Sequence, residues 1–254
     1  MRWIGSLLTA FSMYSKLRVP QVEWSNQNMR YVMCCFPLVG AVVGGLVWLA
    51  GMGLADLPIG PQLRTVLLVL LPVVLTGGIH MDGFLDTMDA LASYQPKERR
   101  LEILSDSHSG AFAVIGACGY FLLDYGIWSE MTPELLPLAA LSFVFSRVCS
   151  GYAVTAWKSA KKKGLAAGFQ QASDKKTTCR LLLIEGAAVL GTMCLLNWKA
   201  AVAAVGTALA LYGYFRFLAD QKFGGITGDL AGWFLQVCEL GMAAGLVVSK
   251  YVFG

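Results

Sequence analysis

Three aspartates stand four and three residues apart in the segment Gly77-Gly78-Ile79-His80-Met81-Asp82-Gly83-Phe84-Leu85-Asp86-Thr87-Met88-Asp89. On a helix turning about 100° per residue, Asp86 falls about 40° to one side of Asp82 and Asp89 about 20° to the other, so all three share a face. Like charges set so close destabilise a helix by roughly a few tenths of a kcal/mol per pair. A divalent cation removes that cost. Carboxylate oxygens on one face are the hard donors that Mg²⁺ accepts, its remaining positions going to water and phosphate. Gly83, between two of the acids, is expected to leave the backbone open to a bulky substrate. The bland alternative is a solvated helix end.

Two further segments place acids beside glycines and hydroxyls: Ser105-Asp106-Ser107-His108-Ser109-Gly110 and Gly224-Gly225-Ile226-Thr227-Gly228-Asp229. Each leads into an apolar stretch, and such a helix start suits a phosphate or metal–phosphate cradle. Ser105, Ser109 or Thr227 would serve equally well as ordinary helix caps. His80 and His108 are the only histidines, and both neighbour acids. His80 lies about 160° around the helix from Asp82, which favours a supporting role over direct ligation. Arg147, Glu185 and Glu239 fall within apolar stretches, where a charge is costly, so each is expected to face the protein interior or a wet cavity. Arg147 either reaches a phosphate or pairs with Glu185 or Glu239.

The elements that must carry these groups are set by the solvent. Hydrophobic residues make up 56% of the 254 and charged residues only 14%, against about a quarter charged in soluble domains. Seven apolar stretches can be marked: Val32 to Leu54, Leu63 to Ile79, Ala111 to Trp128, Leu135 to Trp157, Leu181 to Asn197, Ala200 to Ala219, and Trp233 to Phe253. Each must be helical, because a chain in hydrocarbon has to satisfy its own backbone groups. The N-terminal Met1 to Leu8 run begins like a signal peptide, but Ser12, Tyr14, Ser15 and Lys16 interrupt it, and an amphipathic helix at the interface fits better. The predicted fold is all-α: a polytopic integral membrane helical bundle of about seven transmembrane helices plus that N-terminal amphipathic helix. No repeat or linker divides it, so residues 1–254 read as one membrane-embedded catalytic domain. The seven cysteines show no CxxC pair and read as reduced, space-filling thiols. Gly40, Gly44 and Gly45 read as helix-packing positions.

Basic residues orient the bundle. Sixteen of the 20 lysines and arginines precede the first stretch, follow the second or fourth, or stand at or just after the end of the sixth (Arg216 and Lys222), whereas Arg64, Lys199 and Lys250 fall on the opposite side and Arg147 lies within the fourth. An excess of Lys and Arg marks cytoplasmic loops, so the N-terminus and the acid cluster are expected in the cytoplasm and the C-terminus outside. The insertion from Lys158 to Arg180 reads either as a mobile basic loop that meets a polyanionic substrate or anionic lipid, or simply as orienting charge. No nucleic-acid partner is expected.

At these residues the sequence resembles cobalamin synthase, the adenosylcobinamide-GDP ribazoletransferase family, over nearly its whole length. Residues Gly77 to Asp89 are similar to that family's GG-x-H-x-DG-x-x-D-x-x-D signature. Leu17-Arg18-Val19-Pro20, Phe36-Pro37-Leu38-Val39-Gly40, Glu102 to Ser107 with Gly110, Ser146-Arg147, Gly164-Leu165, and Gly224 to Asp229 with Glu239 occur in the family's order. Two departures stand out: Ser105 and His108 where the family often has arginines, and Gln236 where it has an acid. The resemblance implies that the ribose hydroxyl of α-ribazole, or of α-ribazole phosphate, attacks the cobinamide-side phosphorus of adenosylcobinamide-GDP and releases GMP. It further implies Asp82 and Asp86 as the principal Mg²⁺ ligands, with Asp89 a third ligand or the base. Asp106 and Asp229 would complete the metal–phosphate site. His80, Gly83, Ser107, His108, Arg147, Lys163, Thr227 and Gly228 are the residues then expected to contact substrate. The setting implied is the cytoplasmic (inner) membrane of a prokaryote, with the lipid bilayer as partner and homo-oligomerisation left open. A CDP-alcohol phosphotransferase acting on lipid is the nearest alternative, though its motif carries Ala-Arg where this chain has Leu85-Asp86. An ion-coupled transporter is a second, for which acids near the bilayer midplane would be expected.

Overall fold

The computed structural model describes residues 2–106, 108–161 and 164–253. Among them the only regular structure that is not helical is one bridge between Ser159 and Ile226. Helix α1 (Arg2–Tyr14) packs against α3 (Val32–Ala55), with the single turn α2 (Asn26–Met29) between them. Next come α4 (Pro61–Thr76), α5 (Ile79–Ala92), α6 (Lys97–Ile103), α7 (Ala111–Ser129) and α8 (Leu136–Ala156). After the short α9 (Leu165–Ala172) come α10 (Lys175–Leu218), a π-helical turn (Ala219–Phe223) and α11 (Gly228–Phe253). Five helices are long and apolar enough to cross a membrane: α3, α7, α8, α10 with its π turn, and α11; the bent pair α4–α5 makes up to a sixth. The chain is an all-α, multi-pass membrane bundle.

Helix α10 is two helices in one. Straight, its 44 residues would reach about 66 Å at about 1.5 Å per residue, twice a hydrocarbon core of about 30 Å. Instead Asn197 leaves the helical region (φ −160°, ψ 99°), and its side-chain oxygen accepts the Ala200 N–H at 3.1 Å, capping the second half of the helix. Both ends return to the C-terminal end of α8, Leu182 lying beside Gly151 and Phe215 against Trp157. With residues 175–196 and 198–218 counted separately and α4–α5 once, each of the seven apolar stretches has its helix.

Packing inside the bundle relies on small residues, because lipid tails compete on equal terms with apolar side chains. Gly40 and Gly44 press against the carbonyls of Phe143 and Ala140 on α8, where any side chain would collide. Gly45 has nothing within 4 Å of where a Cβ would stand, so the packing role expected for it is not met. Arg147 on α8 is 1% exposed and pairs with Glu239 on α11 at 2.6 Å, also donating to the Phe143 carbonyl at 2.9 Å. The Ser146 hydroxyl donates to the same carboxylate at 2.8 Å. Of the alternatives for Arg147, the buried pair with Glu239 is the one formed. A phosphate would have to break it.

The turn that matters most for function lies between α4 and α5. Gly77 (φ 66°) and Gly78 (φ 77°) are both left-handed, a conformation in which a Cβ is costly. The Gly78 N–H closes the last turn of α4 onto the Val73 carbonyl at 2.9 Å, a glycine stop of the Schellman type. The chain then restarts as α5 at 95° to α4. The apolar stretch expected to run to Ile79 therefore ends at Thr76. The three aspartates ride a separate helix that lies across the first turns of α7 and α11.

Candidate functional site

The crossing of α5 over α11 sets the site. A Cβ on Gly83 would stand 2.7 Å from the Asp229 carbonyl oxygen and 2.9 Å from its Cα. The space that glycine leaves is filled by the α11 backbone, not kept open for substrate as the sequence suggested. The gain is position: Asp229, in the first turn of α11, is carried alongside the acids of α5. The effect is electrostatic. Asp86 is half-buried, and burial, followed by the charges of Asp82, Asp229 and Asp89, pushes its pKa up to about 6, with Lys161 opposing. Among the described residues no three His, Cys, Asp or Glu side chains already gather as a closed metal cage.

Asp89 has a second job. Its carboxylate oxygens accept the N–H of Gly110 and, at 2.8 Å, that of Ala113. Both belong to the start of α7, where free N–H groups and the helix dipole favour an anion. Asp89 thus ties α7 to α5, a role that its spacing from Asp86, which suggests a ligand or base, does not reveal.

The Gly224–Asp229 segment is shaped by its backbone. Gly224 (φ 74°) and Gly225 (φ 156°) adopt conformations that favour glycine, and a Cβ on Gly225 would stand 2.5 Å from the Lys158 carbonyl oxygen. That closeness lets the Ile226 N–H donate to the Lys158 carbonyl at 2.8 Å, while Ile226 accepts from Ala160 at 2.9 Å. Thr227 Oγ1 accepts the Leu230 N–H at 3.1 Å, so it caps α11. The bridge positions Lys161, whose ammonium donates to Ser105 Oγ at 2.7 Å and whose charge acts on Asp86. Lys163, the member of the same lysine run expected to contact substrate, lies outside the described residues, as does Ser107.

Behind the acids lies a cavity of about 330 Å³ bordered by His80, Asp82, Gly83, Lys161, Thr227, Gly228 and Asp229. Much of its remaining wall comes from α1, α3, α8, α9 and the next turns of α11, including Tyr14, Phe36, Phe169 and Leu235. His80 is 4% exposed and packs 5.9 Å from both the Tyr14 and Phe36 rings. Its Nε2 has no partner among the described residues. Burial, and then the nearby Arg147 charge, hold its pKa well below the usual histidine value, so the imidazole is neutral. The supporting role expected for it suits this placement.

Of the residues singled out from sequence, His80, Asp82, Gly83, Thr227, Gly228 and Asp229 border one cavity, and Asp86 feels the same charges. Asp106 and His108 do not border it. They pair with each other at 2.8 Å on an exposed loop, with side chains 57% and 90% accessible, and that hydrogen bond keeps the Asp106 pKa below its ordinary value. Lys161, Tyr14, Phe36 and Phe169 were missed. The lysine run was visible in the sequence, but the bridge that selects Lys161 is not.

A family model described as cobalamin-5-phosphate synthase matches residues 6–247. The chain belongs to that family. A relative in Lachnoclostridium phytofermentans, named adenosylcobinamide-GDP ribazoletransferase, is 48% identical over 253 residues, covering 99% of this chain and 97% of its own. Relatives of the same name in Desulfitobacterium hafniense and Clostridium perfringens are 34% identical over 241 residues (92% and 93% covered) and 32% over 233 (90% and 91%). No solved structure matches the chain. In this member of the family, the Gly77-Gly78 pair makes the hinge and Gly83 makes the contact that together seat Asp82 and Asp86 over α11.

Proposed function

We propose that this chain is an adenosylcobinamide-GDP ribazoletransferase that works at the cytoplasmic face of a prokaryotic inner membrane. The observation that carries the reading is the 48% identity, over 99% of the chain, to a protein of that name. The site suits the reaction. The ribose hydroxyl oxygen of α-ribazole, or its phosphate, bonds to the cobinamide-side phosphorus, the bond to the bridging oxygen breaks, and GMP leaves. The hydroxyl proton passes to a carboxylate of the cluster. Phosphoryl transfer asks little covalent work of a protein; it needs positioning and neutralisation of negative charge.

Asp82, Asp86 and Asp229 would hold Mg²⁺. The fit rests on the donor set: oxygen ligands only, around a half-buried acid whose pKa is raised first by burial and then by the neighbouring charges of Asp82, Asp229 and Asp89, partly offset by Lys161. Mg²⁺ is commonly held by one or two carboxylates plus water and substrate phosphate, so the lack of a closed three-ligand cage is no obstacle. Bound there, the ion would supply positive charge to the diphosphate. Lys161, held at the rim by the 158–160 bridge, faces the same phosphates. Asp89 keeps α7 docked, and Arg147 keeps α8 on α11. The basic residues gathered at the α5 end support a cytoplasmic setting for this site.

The test is direct. Purified protein given adenosylcobinamide-GDP, α-ribazole and Mg²⁺ should release GMP and form the cobalamin product, and Asp82→Asn should insert normally yet release none. A variant that turns over at the parent rate removes the metal assignment; a parent protein that yields neither product removes the reaction.

A further inference from the structure

The cavity behind the acids is built unevenly. Asp82, Asp229, Thr227 and Lys161 gather at one edge, whereas Met33, Phe36, Phe169, Ala167 and Leu235 make a largely apolar wall. Leu235 sits seven residues into α11 from Gly228, about 10 Å deeper at about 1.5 Å per residue. Tyr14 packs on Phe36 with ring centroids 4.4 Å apart and lies 6.4 Å from Phe169, so part of the wall is aromatic. Ser159 lies beside Lys161, and Tyr14, His80 and Ser150 are the other polar side chains that line it.

We infer that this cavity takes the base of the acceptor nucleoside, a flat aromatic heterocycle with no exocyclic hydrogen-bonding group, with its ribose at the Asp82–Asp229 edge. The inference rests on the transfer proposed above and adds which substrate enters and by which end. Size excludes the other large group: about 330 Å³ lies at the low end of the range of about 300–1,000 Å³ for small-molecule sites, nucleoside-sized and far too small for a corrin macrocycle. Polarity decides between the two bases. Guanine carries an amino group, a ring N–H and a carbonyl together on one edge, whereas the polar side chains on this wall, Tyr14, His80 and Ser150, stand singly on three different helices, so burying that whole edge there leaves polar groups without partners. A methylated benzimidazole carries no such edge, and aromatic rings offer it stacking surface. Seated this way, the ribose hydroxyl emerges among the carboxylates, and the cobinamide half of the donor stays outside the bundle.

Ala167, 6% exposed on α9, tests the assignment. Ala167→Leu fills the wall and should raise the KM for α-ribazole about 10- to 100-fold, the range that a misfit of a methylene or more produces in an apolar pocket. The KM for adenosylcobinamide-GDP and kcat should stay within about twofold, and a nucleoside with the smaller imidazole base should lose far less. Ala166→Val gives a milder version should the leucine not fold. A rise in donor KM with acceptor KM unchanged puts guanosine in the cavity and overturns the inference, as does no change in either. Equilibrium binding of α-ribazole alone to the parent and to Ala167→Leu reads the cavity without turnover, so it decides this point even where the proposed transfer fails; equal affinity in both proteins refutes it.

Discussion

Gly83→Ala separates two accounts of one residue. If that glycine makes room for substrate, an alanine should weaken substrate binding and little else. The structure gives a different expectation. A Cβ at Gly83 stands 2.7 Å from the Asp229 carbonyl oxygen, and ordinary contact begins near 3.4 Å, so α5 and α11 must part by about 3.4 − 2.7 = 0.7 Å. Overpacking of this kind costs about 1–3 kcal/mol, and displacing catalytic groups by about 1 Å costs on the order of 100-fold in rate. Asp229 moves away from Asp82 and Asp86, so kcat should fall about 100-fold and the Mg²⁺ concentration for half-maximal rate should rise. Two further glycines calibrate the result. At Gly232, facing the same crossing, a Cβ would stand 3.2 Å from the His80 carbonyl oxygen; the helices need give only about 0.2 Å, and Gly232→Ala should lose a few-fold at most. At Gly45 nothing lies within 4 Å, and Gly45→Ala should match the parent or gain up to about 1 kcal/mol of stability. The assay is GMP release by purified protein across Mg²⁺ and donor concentrations. Parent kcat in Gly83→Ala with only a raised KM would refute the helix-crossing account and return the position to substrate contact.

Asp89→Ala removes the cap on α7 and should cost about 0.5–2 kcal/mol of stability, seen as a lowered unfolding temperature in detergent, while the Mg²⁺ concentration for half-maximal rate stays put; a shifted Mg²⁺ dependence would make Asp89 a ligand after all. Glu239→Ala strands a guanidinium that is 1% exposed and should cost about 3–5 kcal/mol, whereas pairing it with Arg147→Met should recover most of that. If the double variant folds but binds adenosylcobinamide-GDP far more weakly, Arg147 grips phosphate. Proton and cation compete for the same carboxylates, and Asp86 titrates near 6 without metal. Mg²⁺ affinity should therefore be flat above about pH 7 and fall up to about tenfold per unit below pH 6. Affinity unchanged down to pH 5 would take Asp86 out of the metal site.

Much of this was legible because lipid leaves a chain few options. Apolar runs in hydrocarbon must be helices, so the stretches at residues 32–54 and 233–253 were placed to within a few residues of α3 and α11. Asn197, the last residue of one apolar stretch, proved to be the break in α10. The acid spacing identified a shared face from helical periodicity alone. Direction could not be read. Two glycines in succession signal a turn, but their 95° angle depends on what α5 packs against. Asp89 carries the same charge as Asp82, and only the arrival of the start of α7 commits it to capping. Arg147 had two alternatives, and burial beside Glu239 decided between them.

By itself the sequence determined the class of fold, the presence of an acid-bearing helix beside an apolar span, and the family signature, since each depends on composition or spacing along one helix. The tertiary structure alone decided that the Asp229 backbone meets α5 at Gly83, that Lys161 is held at the cavity's edge, and that an aromatic-walled cavity lies behind the acids. Those groups are separated by tens to more than a hundred residues, and their meeting depends on backbone approaches such as Gly83 on Asp229 and Gly225 on Lys158. Such approaches leave no periodic trace in a chain, because a glycine looks the same whether the space beside it is empty or filled.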